Sequence, residues 1–153
     1  MSLTAAITSV NSAAGMLERL AAPLLFIVRC NVSWVFLKSG WLKISDWEST
    51  LFLFREEYRV PLLPPGAAAV LGTAGELFFP VLLIAGLFGR ISALGLQAVN
   101  VLAVVSYAHV LLQEGYEAAI AQHYLWGLML IVLIVYGPGR WSIDAWMAHK
   151  AGR

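Results

Sequence analysis

The stretch GAAAVLGTAGELFFPVLLIAGLF (Gly66–Phe88) decides the reading of this chain, because its apolar side chains are interrupted by a single carboxylate, Glu76, near the middle. At about 1.5 Å of rise per residue the run is about 33 Å long as a helix, enough to cross the hydrocarbon core of a bilayer. A carboxylate at that depth is costly in lipid, so Glu76 must face protein or a water-filled cavity and have a partner there. A structural ion pair, or a protonated acid held by hydrogen bonds, meets that demand as well as a catalytic group does. Gly72 and Gly75 on the same stretch allow a neighbouring backbone to come close.

The rest of the composition agrees with a membrane protein. Hydrophobic residues make up 60% of the 153 residues and charged residues 12%, and the mean hydropathy is +0.78, far from the balance of a soluble domain. The length suits one domain. The net charge is +1 and no basic run exists, which argues against nucleic acid as a partner. Cys30 is the single cysteine and lies inside an apolar segment, so no intrachain disulfide can form and a packing role is expected. Met1–Val10 shows neither a charged start nor a long apolar core of the kind a cleaved leader has, so the first membrane helix is expected to act as its own insertion signal.

Three further apolar runs give an all-α, integral membrane four-helix bundle with spans at about residues 20–41, 66–88, 91–112 and 120–137 in a single domain, 1–153. Ahead of the first span, Asn11 or Ser12 is placed to cap a helix leading into it. Between spans one and two, Ser45 and Glu48 have capping-box spacing, and Trp47, Leu51, Phe54 and Tyr58 then fall on one helical face. This predicts a short interfacial helix, with Lys43, Arg55, Glu56, Glu57 and Arg59 toward water or headgroups, stopped by Pro61, Pro64 and Pro65. Four spans place both termini on one side. Arg19, Arg90, Arg140, Lys150 and Arg153 would lie on the side of the termini, against Lys38, Lys43, Arg55 and Arg59 on the other, and the turn Gln113–Gln122 has no Lys or Arg. The bias puts the termini in the cytoplasm.

Two polar sets emerge when depth is counted from the ends of neighbouring spans. Arg29, too deep to snorkel, comes within roughly 4.5 Å of the level of Glu76, with Asn100 of span three nearby, so these three are expected to form a buried set with Arg29 and Glu76 paired. Lys38, Lys43, Asp46, His109 and His123 form a second set near the opposite surface from the termini. Two histidines and an acid from separate elements can bind a metal, hold a quinone carbonyl or relay protons, although no His or Cys pair has helical ligand spacing. Interfacial histidines that are simply hydrogen-bonded are the commoner case.

The tail Gly137-Pro138-Gly139-Arg140-Trp141-Ser142-Ile143-Asp144 resembles the closing motif of the DoxX family, small four-helix membrane proteins. Arg29, then Gly40 and Lys43, Gly75-Glu76, and Gly86-Leu87-Phe88-Gly89-Arg90 fall in the same order as the family's other marks. The tail also has a plain structural reading, in which Gly137–Gly139 end span four, Arg140 sits at headgroup level, and Ser142 or Asp144 caps a short helix anchored by Ile143 and Trp146. The stretch Thr50–Pro65 is similar to that of DoxX proteins encoded beside copper-binding ribosomal peptides. The resemblance implies an inner-membrane accessory subunit linked to redox or metal, specifically copper, stress. Family relatives include the membrane subunit of a thiosulfate:quinone oxidoreductase. With no CxxC, flavin motif or haem pair, the chain would take its redox group as a diffusible quinone. Glu76, Arg29 and His109 would then act on protons or quinone oxygens, and Lys43, Asn100 and His123 would hold the molecule. A protein partner encoded nearby, or a second copy, would complete the unit in the bilayer. The alternative is a non-enzymatic scaffold or small transporter for a metal-binding peptide or solute, with the same residues lining a path.

Overall fold

The computed structural model describes the backbone of residues 3–152 and the side chains of residues 18–152. All regular structure among the described residues is helical: α1 (Leu3–Ser45), α2 (Trp47–Glu56), α3 (Pro65–Ala85), α4 (Gly89–Ser106), α5 (Ala108–Leu111), α6 (Glu117–Tyr136) and α7 (Ile143–Lys150). Four segments are long and apolar enough to cross a membrane: Glu18–Ser45, Pro65–Ala85, Gly89–Ser106 and Glu117–Tyr136. Their outward faces carry large apolar side chains such as Trp34, Phe78, Val81, Leu128 and Ile131, which a bilayer accommodates and water does not. The chain is therefore a multi-pass helical membrane protein.

The four spans form a ring in which α1 packs on α3, α3 on α4, α4 on α6, and α6 closes against α1. Val32, Phe36, Leu83, Ala93, Leu96, Leu130 and Leu133 fill its centre. Small residues set the closest approaches, since a Cβ on Gly40 would lie 2.9 Å from Leu77 and one on Gly75 would lie 2.7 Å from Val99. Gly72, by contrast, is in ordinary contact range of Phe54.

Several boundaries differ from those the sequence predicts. The backbone of α1 is already helical from Leu3, so the helix does not begin at Asn11 or Ser12, whose side chains lie outside the described residues. At its other end α1 continues past Trp41 to Ser45. The cap of α2 falls one residue later than the capping box predicts: Asp46 accepts from the Ser49 N–H at 3.0 Å and from the Ser49 hydroxyl at 2.7 Å, while Ser45 turns back to the Trp41 carbonyl. The apolar face of α2 is as predicted, with Phe54 buried on Ala68 and Ala69 and flanked by Trp47, Leu51 and Tyr58. Span three stops at Ser106 rather than Leu112. There the Ser106 hydroxyl donates to the Leu102 carbonyl, a bond that competes with the helix ladder, and the Ser106 carbonyl accepts from the Arg59 N–H at 2.9 Å. Span four starts earlier, at Glu117.

The end of the bundle near the C-terminal tail is tied by backbone chemistry. Gly86, at φ +67°, closes α3 with N–H bonds from Gly86 to Leu83 and from Leu87 to Leu82, the paired pattern of a Schellman motif, which needs the left-handed conformation glycine adopts without strain. Asp144 then accepts from the Phe88 and Gly89 N–H groups at 2.9 and 2.8 Å, capping α4 from a distant part of the chain, and its own N–H donates to the Gly86 carbonyl. Ser142 caps α7 by accepting from Ala145 N–H. Arg29, fully buried, donates to the Trp141 carbonyl.

Candidate functional site

Glu76 pairs with Lys43, not with Arg29. The Lys43 ammonium donates to both carboxylate oxygens, at 2.9 and 2.7 Å, and to the Ser39 hydroxyl at 2.8 Å. The pair is nearly enclosed, with side chains 18% and 10% exposed. The reason is the helix register. Gly40 of α1 lies against Glu76 and Arg29 lies against Gly86, so Arg29 sits about ten residues along α3 from the carboxylate it was expected to meet. Arg29 and Lys43 are fourteen residues apart on one face of α1, about 21 Å along the axis. Arg29 belongs to the clasp at the tail end, with Phe26 under its guanidinium at 5.4 Å. The predicted set Arg29, Glu76 and Asn100 is thus divided among three places.

Asn100 pairs with His123. Its amide nitrogen donates to the His123 carbonyl at 3.0 Å, and its amide oxygen meets His123 Nδ1 at 2.8 Å. Lys38 is exposed on α1, and Asp46 serves as the cap of α2. His109 stacks edge-on against Tyr107 at 5.6 Å between ring centres, so it stands behind that residue.

Beside the Lys43–Glu76 pair is a cavity of about 440 Å³, within the range of small-molecule sites. Ser39, Lys43, Glu76 and His123 supply its polar wall, and Phe36, Phe54, Tyr58, Tyr107 and Trp126 its aromatic one. These rings are mutually braced: Phe54–Tyr58, Tyr58–Tyr107, His123–Trp126 and Phe36–Trp126 all meet edge to face with centres 4.9 to 5.8 Å apart. Burial pushes the Tyr58 phenol above its ordinary pKa, with nearby Tyr107 and Glu76 acting in the same direction, so it is a neutral hydroxyl at physiological pH. The roof is α2 and the segment after it. This roof is pinned to α1 by the Thr50 hydroxyl donating to the Lys43 carbonyl and to α4 by the Arg59–Ser106 bond. Leu63, Leu71 and Leu102 line the cavity and are also 38%, 58% and 44% exposed, which places its mouth on the apolar flank between α3 and α4.

Of the residues expected to act, Glu76, Lys43 and His123 are on this cavity. Asn100 stands behind His123 on the wall of a neighbouring groove between α4 and α6, while Arg29 and His109 are elsewhere. Ser39, Ser106 and Trp126 were not foreseen. Ser39 is one helical turn before Lys43, and Trp126 follows His123 by three, so both could have been found by walking one turn from each polar residue. Among the described residues no three of His, Cys, Asp and Glu gather in a way that could hold a metal ion.

Fold and site define a multi-pass membrane protein with an aromatic-walled cavity at one end of a four-helix bundle, open on its apolar flank. The family can be stated: the DoxX model matches residues 24–109, from α1 into α5, and the chain belongs to the DoxX family. It is also similar to an uncharacterized protein of Haemophilus influenzae, 29% identical over 127 residues that cover 78% of this chain and 80% of that relative. No solved structure matches.

Proposed function

We propose that the protein is a redox-linked accessory subunit of the bacterial inner membrane, acting as one domain over residues 1–153, and that its cavity binds a lipid-soluble quinone-type ring. The observation that carries this reading is the join of one apolar, aromatic-walled cavity, open toward the lipid flank, with a buried ion pair and a histidine at its head. An aromatic headgroup fits between Tyr58, Tyr107 and Trp126, and a polyprenyl tail can leave past Leu71 and Leu102 without entering water. Glu76 and His123 are the groups that would meet the ring oxygens, and Lys43 holds the Glu76 carboxylate in place. Since the chain offers no resident redox motif, a protein partner would supply the other half of any electron transfer. The similarity of Thr50–Pro65 to DoxX proteins encoded beside copper-binding peptides supports copper stress as the setting. The termini are assigned to the cytoplasm on the charge bias.

Calorimetric titration of the protein in lipid nanodiscs with a ten-carbon-tailed ubiquinone tests this. Saturable one-to-one binding, weakened at least tenfold by Trp126→Ala, is expected. No saturable binding of the quinone or of its reduced form, together with retention of a copper-loaded peptide by the same nanodiscs, would favour the scaffold or transporter reading instead.

A further inference from the structure

The bonds around Asn100 fix the proton on His123. A backbone carbonyl only accepts, so the 3.0 Å contact to the His123 carbonyl identifies the amide nitrogen of Asn100 and leaves its oxygen facing His123 Nδ1 at 2.8 Å. That oxygen is an acceptor, so in the neutral ring Nδ1 carries the hydrogen and Nε2 carries the lone pair. Asn100 takes Nδ1 and lines the groove but not the cavity, whereas His123 borders both, which leaves Nε2 as the ring nitrogen free to meet a ligand. The other strong polar group at the head of the cavity is Glu76. The Lys43 ammonium is committed to its neighbours, donating to both Glu76 oxygens and to the Ser39 hydroxyl, while the carboxylate keeps unused lone pairs. The tyrosine hydroxyls can turn either way, and the Trp126 indole N–H can serve a carbonyl or a hydroxyl oxygen equally.

With Lys43 committed to Glu76 and Ser39, the two groups left to meet a ligand, Glu76 and His123 Nε2, are both acceptors. Resting on the quinone-type reading above, we infer that the site selects the reduced, hydroxylated form, a quinol, which donates its hydroxyls to His123 Nε2 and Glu76, over the quinone, whose carbonyls would face lone pairs. Asn100 is a positioning residue in this account, acting through the tautomer of His123.

The test is anaerobic titration of the protein in nanodiscs with a ten-carbon-tailed ubiquinol, the matching quinone, and the dimethyl ether of the quinol, which keeps the shape and has no donor. The quinol is expected to bind at least tenfold tighter than either of the others, about the effect of one hydrogen bond to a charged or strongly basic group. His123→Ala should cut that preference to a fewfold. Nitrogen-15 NMR of histidine-labelled wild-type protein gives a readout that does not depend on a variant folding: His123 should show the Nδ1–H tautomer, and Asn100→Ala should convert it to a mixture. Quinone or ether binding as tight as quinol, or an Nε2–H tautomer in the wild type, overturns this inference alone. Failure of all three ligands to bind saturably overturns it together with the reading on which it rests.

Discussion

Lys43 and Glu76 neutralise each other inside the bundle, and the cost of separating them sets the first prediction. Lys43→Met leaves a carboxylate buried without its cation, which should lower stability by about 3 to 5 kcal/mol, whereas Lys43→Met with Glu76→Met together should recover most of it. Denaturant unfolding in detergent checks this, and a double variant as unstable as the single one would show that the pair is not what the single substitution breaks. Quinol binding in the cavity should stay weakened in the double variant, because Glu76 is then gone. The sequence showed that Glu76 needs a partner but led to the wrong cation. Counting depth from the ends of the apolar runs assumed that α1 stops at Trp41 level with Gly66. In the structure α1 runs to Ser45 and Gly40 lies against Glu76, so the two helices are offset by several residues. The signal that identifies Lys43 was present in its spacing: Arg29, Val32, Phe36, Gly40 and Lys43 repeat at three- and four-residue intervals and share the inward face.

At the scale of elements, the tail acts on the rest of the fold through Asp144, which caps α4 from fifty-five residues away. Asp144→Ala leaves the Phe88 and Gly89 N–H groups without their acceptor and should cost about 1 to 2 kcal/mol, read as earlier thermal unfolding and faster proteolysis after Gly137, with ligand binding in the intact fraction unchanged. The roof element α2 has its own test. Ser49, through its hydroxyl first and its N–H second, holds the Asp46 carboxylate below its ordinary pKa. Because the folded pKa is depressed, the stabilising cap is complete above the ordinary carboxylate range and is lost as pH falls through the lowered value. Amide exchange at Ser49, corrected for its intrinsic rate, should therefore lose protection only at strongly acid pH in the wild type and show no such step in Asp46→Asn. The amphipathic face of α2 was legible because Trp47, Leu51, Phe54 and Tyr58 recur at helical spacing. The clasp was not, since its hydrogen bonds join backbone groups of Gly86–Gly89 to a side chain far along the chain, and neither end carries a sequence pattern that names the other. The break at Ser106 was hidden for a similar reason, being set by the Arg59 N–H.

For the whole molecule, the account requires that the cavity communicate with the lipid flank through Leu71 and Leu102. Leu71→Trp with Leu102→Trp should slow association of a long-tailed quinone at least tenfold while slowing a tail-less analogue much less, because only the former must keep its chain in the opening. Four membrane helices followed from apolar run length, and the short helix between the first two from its helical spacing, while the cavity arises only when α2 folds back over the gap between α3 and α4. The most direct test of the central claim is photolabelling of the wild-type protein in nanodiscs with an azido-substituted quinone, followed by mapping of the modified residues. The account predicts label on the cavity wall at Tyr58, Tyr107 or Trp126, competed away by unmodified quinol. Label confined to the outward lipid faces or to the Arg29–Asp144 clasp, unaffected by competitor, would contradict it.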